Sequence, residues 1–288
     1  MVMGYAIGLD IGGTHVEGVA VNEKLKIIKR VKIPLPGSRS RKIVTEKLFE
    51  CVGSLGREKG MKAIGIGVPG LIKNSVVFRS PNLTFLDGMD FRGLFKKYKA
   101  RVVVDNDVNC MAFGEATMRK AKNMVVLTLG TGIGGGVVIG GRVYRGSSFA
   151  GEVGHMTIKF DGHRCTCGNT GCFEEYAGAR GVRRLSSELL GKSIEPKDVY
   201  ELAKSGNKKA LQVWSEYGRM LGVGLANLVD ALDPEVIVLG GGIARAHKFF
   251  EGSMKNEMKK RMMLPLPEIA FETENLNAFG AACMALKG

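Results

Sequence analysis

Three cysteines and a histidine near the middle of the sequence have the spacing of a metal centre: His155, then Cys165, Cys167 and Cys172 within Cys-Thr-Cys-Gly-Asn-Thr-Gly-Cys. Three thiolates and one imidazole complete a tetrahedral zinc shell, and a shell with no open position holds structure. Glu152 and Glu174 flank the cluster and stay outside it. Carboxylates suit the adjacent hydroxyls of a polyhydroxylated ligand. His155 can give one ring nitrogen to the metal and the other to a hydroxyl, because the two nitrogens act independently.

Glycine-rich turns stand on either side of this segment. In Asp10-Ile11-Gly12-Gly13-Thr14, a tight turn exposes backbone N–H groups to a phosphate, Thr14 adds a hydroxyl, and Asp10 can hold the hydration shell of Mg²⁺. The run Gly130-Thr131-Gly132 followed by Gly134–Gly136 repeats the design. It lacks the Gly-Lys-Ser/Thr of a Walker A loop, and a strand rather than a helix follows it, so it is not a Rossmann fingerprint. Two such hairpins can grip one triphosphate from both sides. A third turn, Gly240-Gly241-Gly242, leaves a strand for a helix and lets a flat ring or a phosphate approach the backbone. The stretch Asp105-Asn106-Asp107-Val108-Asn109 ends a buried strand, where sites form in open α/β sheets. Asp107 is the candidate base for a hydroxyl attacking a terminal phosphoryl group. The plainer reading gives Asp105 or Asp107 to capping the next helix, which accounts for one polar residue of the four.

The elements that must position these groups read as α/β. Tyr5–Ile11 and His15–Val21 form a hairpin; Val125–Leu129 with Val137–Ile139 and Val143 forms another, a weak internal duplication. Ala63–Val68, Arg101–Val104, Val236–Leu239 and Ile269–Phe271 read as further strands. Helical spacing marks Ile43–Lys59, Val108–Met118, Val199–Ala203, Ala210–Ala231, a start at Ile243–Phe250, and a closing helix Ala278–Leu286. The boundary falls near Glu115–Asn123. This gives a lobe of residues 1–118, completed by 277–288, and a lobe of 119–276 carrying the metal segment.

The chain has 288 residues, 45% of them hydrophobic, which is ample for a core. Of six cysteines, three cluster and Cys51, Cys110 and Cys283 are scattered. That pattern favours metal binding over disulfides, hence a reducing, cytoplasmic setting. The start, Met-Val-Met-Gly-Tyr-Ala-Ile-Gly, lacks the basic region of a signal peptide. The uncharged stretch Asn123–Gly141 is interrupted by seven glycines and is read as a turn between strands, not a membrane span. A formal charge of +14 is spread along the chain without interleaved aromatics. It reads as attraction for anionic substrates rather than nucleic-acid binding.

Together, Asp10–Thr14, Gly67-Val68-Pro69-Gly70, Pro81-Asn82-Leu83, Asn106-Asp107, Gly130–Gly136, Gly151–His155, Cys165–Cys172 with Glu174, and Gly240–Gly242 resemble the ROK family of sugar kinases and related repressors. The resemblance spans nearly the whole chain. It implies a two-lobed actin-like, ribonuclease H-like ATPase fold with a central cleft, and a kinase using ATP and Mg²⁺ with a structural Zn²⁺. It implies Asp107 as the base toward a sugar 6-hydroxyl, and Asn106, Glu152, His155, Glu174, Gly70 and Asn82 on the sugar. Asp10, Gly12, Gly13, Thr14, Thr131, Gly132 and Gly240–Gly242 would hold ATP; His155, Cys165, Cys167 and Cys172 would hold zinc. Glucose is the default substrate. N-acetylmannosamine, N-acetylglucosamine, mannose, fructose and allose stay open, as does a non-catalytic sugar-sensing regulator. Family repressors carry an added DNA-binding segment before the first hairpin, for which a hairpin starting near residue 5 leaves no room. Family members are commonly dimers.

Overall fold

The computed structural model describes residues 4–56, 59–272 and 274–287. Residues 1–3 of the N-terminal stretch, Arg57 and Glu58 of the expected 43–59 helix, Thr273 of the larger expected lobe, and the final Gly288 lie outside them. The chain divides into two compact units: Met1–Lys122, Gly136–Ala150 and Glu274–Gly288 form one, and Asn123–Gly135 with Gly151–Thr273 form the other.

The first unit opens with β1 (Tyr5–Ile11), β2 (His15–Asn22) and β3 (Ile27–Pro34), then α1 (Arg41–Leu55) and β4 (Met61–Val68). A small hairpin, β5 (Leu71–Lys73) and β6 (Val76–Arg79), and a short helix α2 (Phe91–Leu94) precede β7 (Arg101–Asn106) and α3 (Asp107–Arg119). Strand order is β3-β2-β1-β4-β7. β1 is antiparallel to β2 and parallel to β4, and β4 is parallel to β7. β1 is buried on both faces, which is why it reads as a continuous apolar run rather than an alternating one. Its core partners include Val44, Leu48 and Cys51 of α1. β3 was not expected from sequence. It is an outer strand, mostly exposed and written Ile-Ile-Lys-Arg-Val-Lys-Ile-Pro, and its lysines and proline suit an edge that must not pair further.

The chain enters the second unit with β8 (Met124–Leu129), passes back along β9 (Ile133–Ile139) and adds β10 (Arg142–Val143) to the first. Returning to the second unit, it forms α4 (Phe173–Ala177), α5 (Ala179–Leu190), α6 (Pro196–Lys204) and α7 (Lys208–Leu232). Then follow β11 (Val236–Gly240), α8 (His247–Arg261) and β12 (Glu268–Phe271). Sheet order is β10-β9-β8-β11-β12, with β11 parallel to both neighbours. Three consecutive strands followed by two parallel ones thus occur twice in the chain, and this common topology is the physical content of the repeated Gly-Thr hairpins. The long α7 buries Ala210, Val213, Trp214, Tyr217, Leu221, Leu225 and Leu228 at helical spacing, and Phe250 and Met254 of α8 join the same core.

The last helix, α9 (Asn277–Lys287), belongs to the first unit and is buried along most of its length. Its approach to the sheet is set by missing side chains. A Cβ on Gly8 of β1 would lie 1.8 Å from Ala278 O, and one on Gly65 of β4 would lie 1.9 Å from Ala281 O. This contact brings the start of α9 beside the carboxyl end of β1. No helix among the described residues is long and apolar enough to cross a membrane.

Candidate functional site

In the first unit the polar candidates gather at the carboxyl ends of β1, β4 and β7. Asp10 is only 5% exposed. A Cβ on Gly67, at the end of β4, would lie 3.4 Å from Asp10 Oδ1 and 3.5 Å from Asp107 Cα, so both residues border the same glycine. Burial pushes the Asp10 carboxyl up to about 7; repulsion from Asp107 and, less, from Glu17 adds to this, and hydrogen bonds from Asn277 and Asn275 oppose it. Asn277 Nδ2 lies 3.3 Å from Asp10 Oδ1. The turn after β1 is closed by Gly12 N donating to His15 O at 3.0 Å. Thr14 Oγ1 lies 3.0 Å from His15 Nδ1, and Arg39 donates to Gly13 O.

The helix cap after β7 is Asn106, between the two aspartates considered for that role. Its Oδ1 accepts from Val108 N at 2.8 Å and Asn109 N at 3.2 Å. Asp107 Oδ1 also accepts from Val108 N, at 3.0 Å. Asn106 Nδ2 donates to Gly70 O at 3.0 Å, which fixes Gly70 against this turn. Asn82 is not drawn in: it is exposed and makes no hydrogen bond to Gly70, Asn106 or Asp107. Asp105 is occupied otherwise. Its Oδ1 accepts from Asn109 Nδ2 at 2.8 Å, and its Oδ2 accepts from Arg145 Nε at 2.6 Å.

In the second unit, a short 3₁₀ turn at Val153–His155 and the N-terminus of α4 carry the other candidates. His155, Cys165, Cys167 and Cys172 each offer a ligand atom, all within 4.8 Å of one another. The knuckle is built by two bridges, Thr157 with Cys172 and Arg164 with Thr170. Gly171 has φ +78°, and a Cβ there would lie 1.7 Å from Lys159 O, so no other residue fits this bend. Burial pushes the Cys165 thiol up to about 12 and also raises Cys172, whereas the backbone N–H of Asn169 lowers Cys167. A soft cation that displaces these protons fits the donor set.

Cys172 is the cap residue of α4, so the knuckle directly fixes the helix bearing Glu174. Glu174 Oε1 accepts from Arg180 Nη2 at 3.0 Å and Cys165 Sγ at 3.1 Å, and lies 3.8 Å from His155 Nδ1. His155 Nε2 points to Glu152 Oε2 at 3.9 Å. One ring nitrogen therefore faces the thiols and the other faces the outer carboxylate. Glu152, His155 and Glu174 are brought together.

The β8–β9 turn is tied to this same segment. Gly130 N donates to Gly132 O at 3.0 Å, and Ala179 N donates to Gly130 O at 2.9 Å. Thr131 is exposed at the tip. At the third glycine turn, Gly241 has φ +86°, and its N–H donates to Glu272 Oε2 at 3.1 Å. A carboxylate on that amide disfavours phosphate there and leaves the turn to a ring or ribose.

Sequence reasoning missed Arg180, Glu175, Asn277, Arg145 and Glu272. Asn109 was legible within the polar run Asp105–Asn109, although Asp105 lies in β7 and Asn109 belongs to α3. Arg180 was not: Gly178 breaks the helix between it and Glu174.

The ROK family profile matches residues 6–287. A xylose repressor from Bacillus spizizenii is 32% identical over 269 residues, covering 90% of this chain and 70% of the repressor. An N-acetyl-D-glucosamine kinase from Vibrio cholerae is 33% identical over 281 residues, covering 91% of each. The crystal structure of a ROK family glucokinase from Streptomyces griseus, in complex with glucose and AMPPNP, superposes with a TM-score of 0.78 at 28% identity, covering 99% of this chain and 100% of that one. The chain has the two-lobed actin-like ATPase fold of these sugar kinases and belongs to the ROK family.

Proposed function

We propose that the protein is an ATP-dependent hexose kinase that phosphorylates the 6-hydroxyl of glucose. The observation that carries this reading is the pairing of Asp10 and Asp107 around Gly67, which sets a candidate base beside the Gly12–Thr14 turn. Asp107 takes the proton of the sugar hydroxyl as its oxygen attacks the terminal phosphorus. The bridging P–O bond breaks and ADP leaves. Backbone N–H groups of the Gly12–Thr14 and Thr131–Gly132 turns bind the phosphates, and Asp10 holds the hydration shell of Mg²⁺, which supplies charge neutralisation when bound. The sugar's other hydroxyls are bound by Glu152, His155 and Glu174, with the remaining N–H of Asn106 as a donor. Gly241 and its neighbours take the adenosine. His155, Cys165, Cys167 and Cys172 hold a structural Zn²⁺, which supplies a closed anchor for the loop and no reacting position.

The test is ADP release over a panel of hexoses and amino sugars. Glucose is expected to give the highest kcat/KM, with N-acetylglucosamine the main competitor in view of the Vibrio relative. Asp107→Asn is expected to lower kcat by about 10² to 10⁴-fold. A near wild-type rate in that variant refutes the assignment. A second reading, a sugar-responsive regulator, is favoured by the similarity to the Bacillus repressor. No ADP release with any sugar, together with sugar-dependent binding to DNA or protein, establishes it instead.

A further inference from the structure

We infer that Arg180 is a positioning residue for the sugar carboxylate Glu174, and that the neighbouring Glu175 is present to hold it. The inference rests on the proposal that Glu174 accepts sugar hydroxyls. Two successive carboxylates on α4 are both buried: Glu174 is 9% exposed and Glu175 is 3% exposed. Buried charges of like sign on adjacent residues are unfavourable unless a cation lies between them. Arg180 is that cation. The same atom, Nη2, lies 3.0 Å from Glu174 Oε1 and 2.6 Å from Glu175 Oε1.

Glu175 is secured from its far side. Arg184 Nη2 lies 3.5 Å from Glu175 Oε2, and Arg184 Nη1 donates to the Glu175 carbonyl at 3.0 Å. The guanidinium of Arg180 leaves its own Nε buried without a partner. An arginine oriented only for its own satisfaction would not give up that donor. Its direction is set by the two carboxylates.

The consequence lies in which oxygen of Glu174 is used. Oε1 is taken by Arg180. Oε2 makes no hydrogen bond among the described residues. A carboxylate gripped through one oxygen presents the other in a fixed direction, so part of the ordering cost of binding a hydroxyl is met in advance. Glu175 makes no hydrogen bond to Glu152 or His155 among the described residues, and its burial is explained by this clamp.

The experiment compares the wild-type protein with Arg180→Met, Arg180→Lys and the double variant Arg180→Met/Glu175→Gln. Dissociation constants for glucose, N-acetylglucosamine and AMPPNP are read by titration calorimetry, with Tm and metal content on the same samples. Arg180→Met is expected to weaken sugar binding about tenfold or more, with AMPPNP binding within about twofold and metal content unchanged. It is also expected to lower Tm, because Glu175 is left buried without Arg180. In the double variant Glu175 no longer adds a stranded charge beside Glu174, so Tm recovers in part while sugar binding stays weak. Arg180→Lys is expected to recover part of the sugar affinity. Recovery of sugar affinity together with Tm in the double variant overturns the inference, because Arg180 is then only structural. So does an Arg180→Met protein that binds sugar like the wild type. Should Arg180→Met not fold, the double variant and Arg180→Lys give the same decision. Binding is read without turnover, so a wild type that binds sugar but releases no ADP sinks the kinase reading alone. A wild type that binds no sugar overturns both.

Discussion

Glu174 Oε2 stands where a side chain at Gly132 would begin: a Cβ on Gly132 would lie 2.2 Å from that oxygen and 3.3 Å from the carboxyl carbon. The glycine of the turn proposed to hold phosphate and the innermost carboxylate proposed to bind sugar are therefore in contact. The bond from Ala179 N to Gly130 O ties the same two segments a few residues on.

Gly132→Ala should disturb both ligands at once. Glu174 cannot swing aside at low cost, because Oε1 is held by Arg180. The methyl group must displace the carboxylate or lift the turn. We expect KM for sugar and for ATP both to rise, and stability to fall by about 1–3 kcal/mol, the usual cost of overpacking. Steady-state kinetics with each substrate varied in turn checks this. A rise in the ATP value alone would show that Glu174 yields freely.

Asp10 should make the metal-free protein less stable as pH rises. Its folded carboxyl titrates at about 7 against an ordinary 3.8. Well below pH 3.8 the folded and unfolded states are both protonated. Between 4 and 7 the unfolded chain gives up its proton while the folded one keeps it, so stability falls through that window and levels off above it. The gap of about 3 pH units corresponds to roughly 4 kcal/mol at pH 7.5. Asp10→Asn should lack this slope and be more stable than wild type at pH 7.5 while losing activity. Urea unfolding at pH 5 and pH 7.5 measures the difference. A parallel pH dependence in the two proteins removes the argument.

Much of this site was legible because its chemistry sits in contiguous text. The Cys165–Cys172 knuckle, the Gly12–Gly13 turn and the Asn106-Asp107 pair each declare themselves within a few residues. The apolar runs of β1, β4, β8 and β11 gave the strands, since burial on both faces leaves little room for polar residues. What stayed hidden depends on long-range packing. Asn277 reaches Asp10 only because Gly8 and Gly65 admit α9, and no local pattern encodes that meeting. β3 escaped notice because an exposed edge carries no hydrophobic period to read. The choice of Asn106 over its aspartate neighbours as cap is a matter of backbone angles at one residue.

Asn277→Ala should shift the pH–activity profile toward alkaline pH. The amide is a hydrogen-bond donor opposing the effects of burial and of Asp107 on Asp10. Removing it raises the Asp10 pKa further, so the ionised form needed beside Mg²⁺ appears only at higher pH. We expect the acid limb of kcat to move up, with activity regained at high pH rather than lost throughout. Rates from pH 6 to 9 at saturating substrates decide it. A uniform loss across that range would assign Asn277 to packing instead.

Metal removal should reach the sugar before it reaches the nucleotide. Cys172 is both a proposed zinc ligand and the cap residue of α4, and Glu174 lies two residues beyond it. Among the described residues the knuckle is otherwise held by the Thr157–Cys172 and Arg164–Thr170 bridges, by turn bonds, by Tyr176 on His163, and by Met156 and Ile158 packed on the core. Without the ion, the tip of that loop at Cys165–Asn169, mostly exposed, loses the anchor that joins it to His155 and Cys172. The Gly12–Thr14 turn belongs to the first unit and has no part in the knuckle. We therefore expect about one zinc per chain in purified protein. Cys167→Ser should lose much of that zinc and raise the sugar KM by about 10 to 100-fold, the range seen when support for a metal site is removed. The ATP KM should change far less. Zinc analysis paired with both KM values tests this, and an active wild-type protein without zinc would remove the ion from the account.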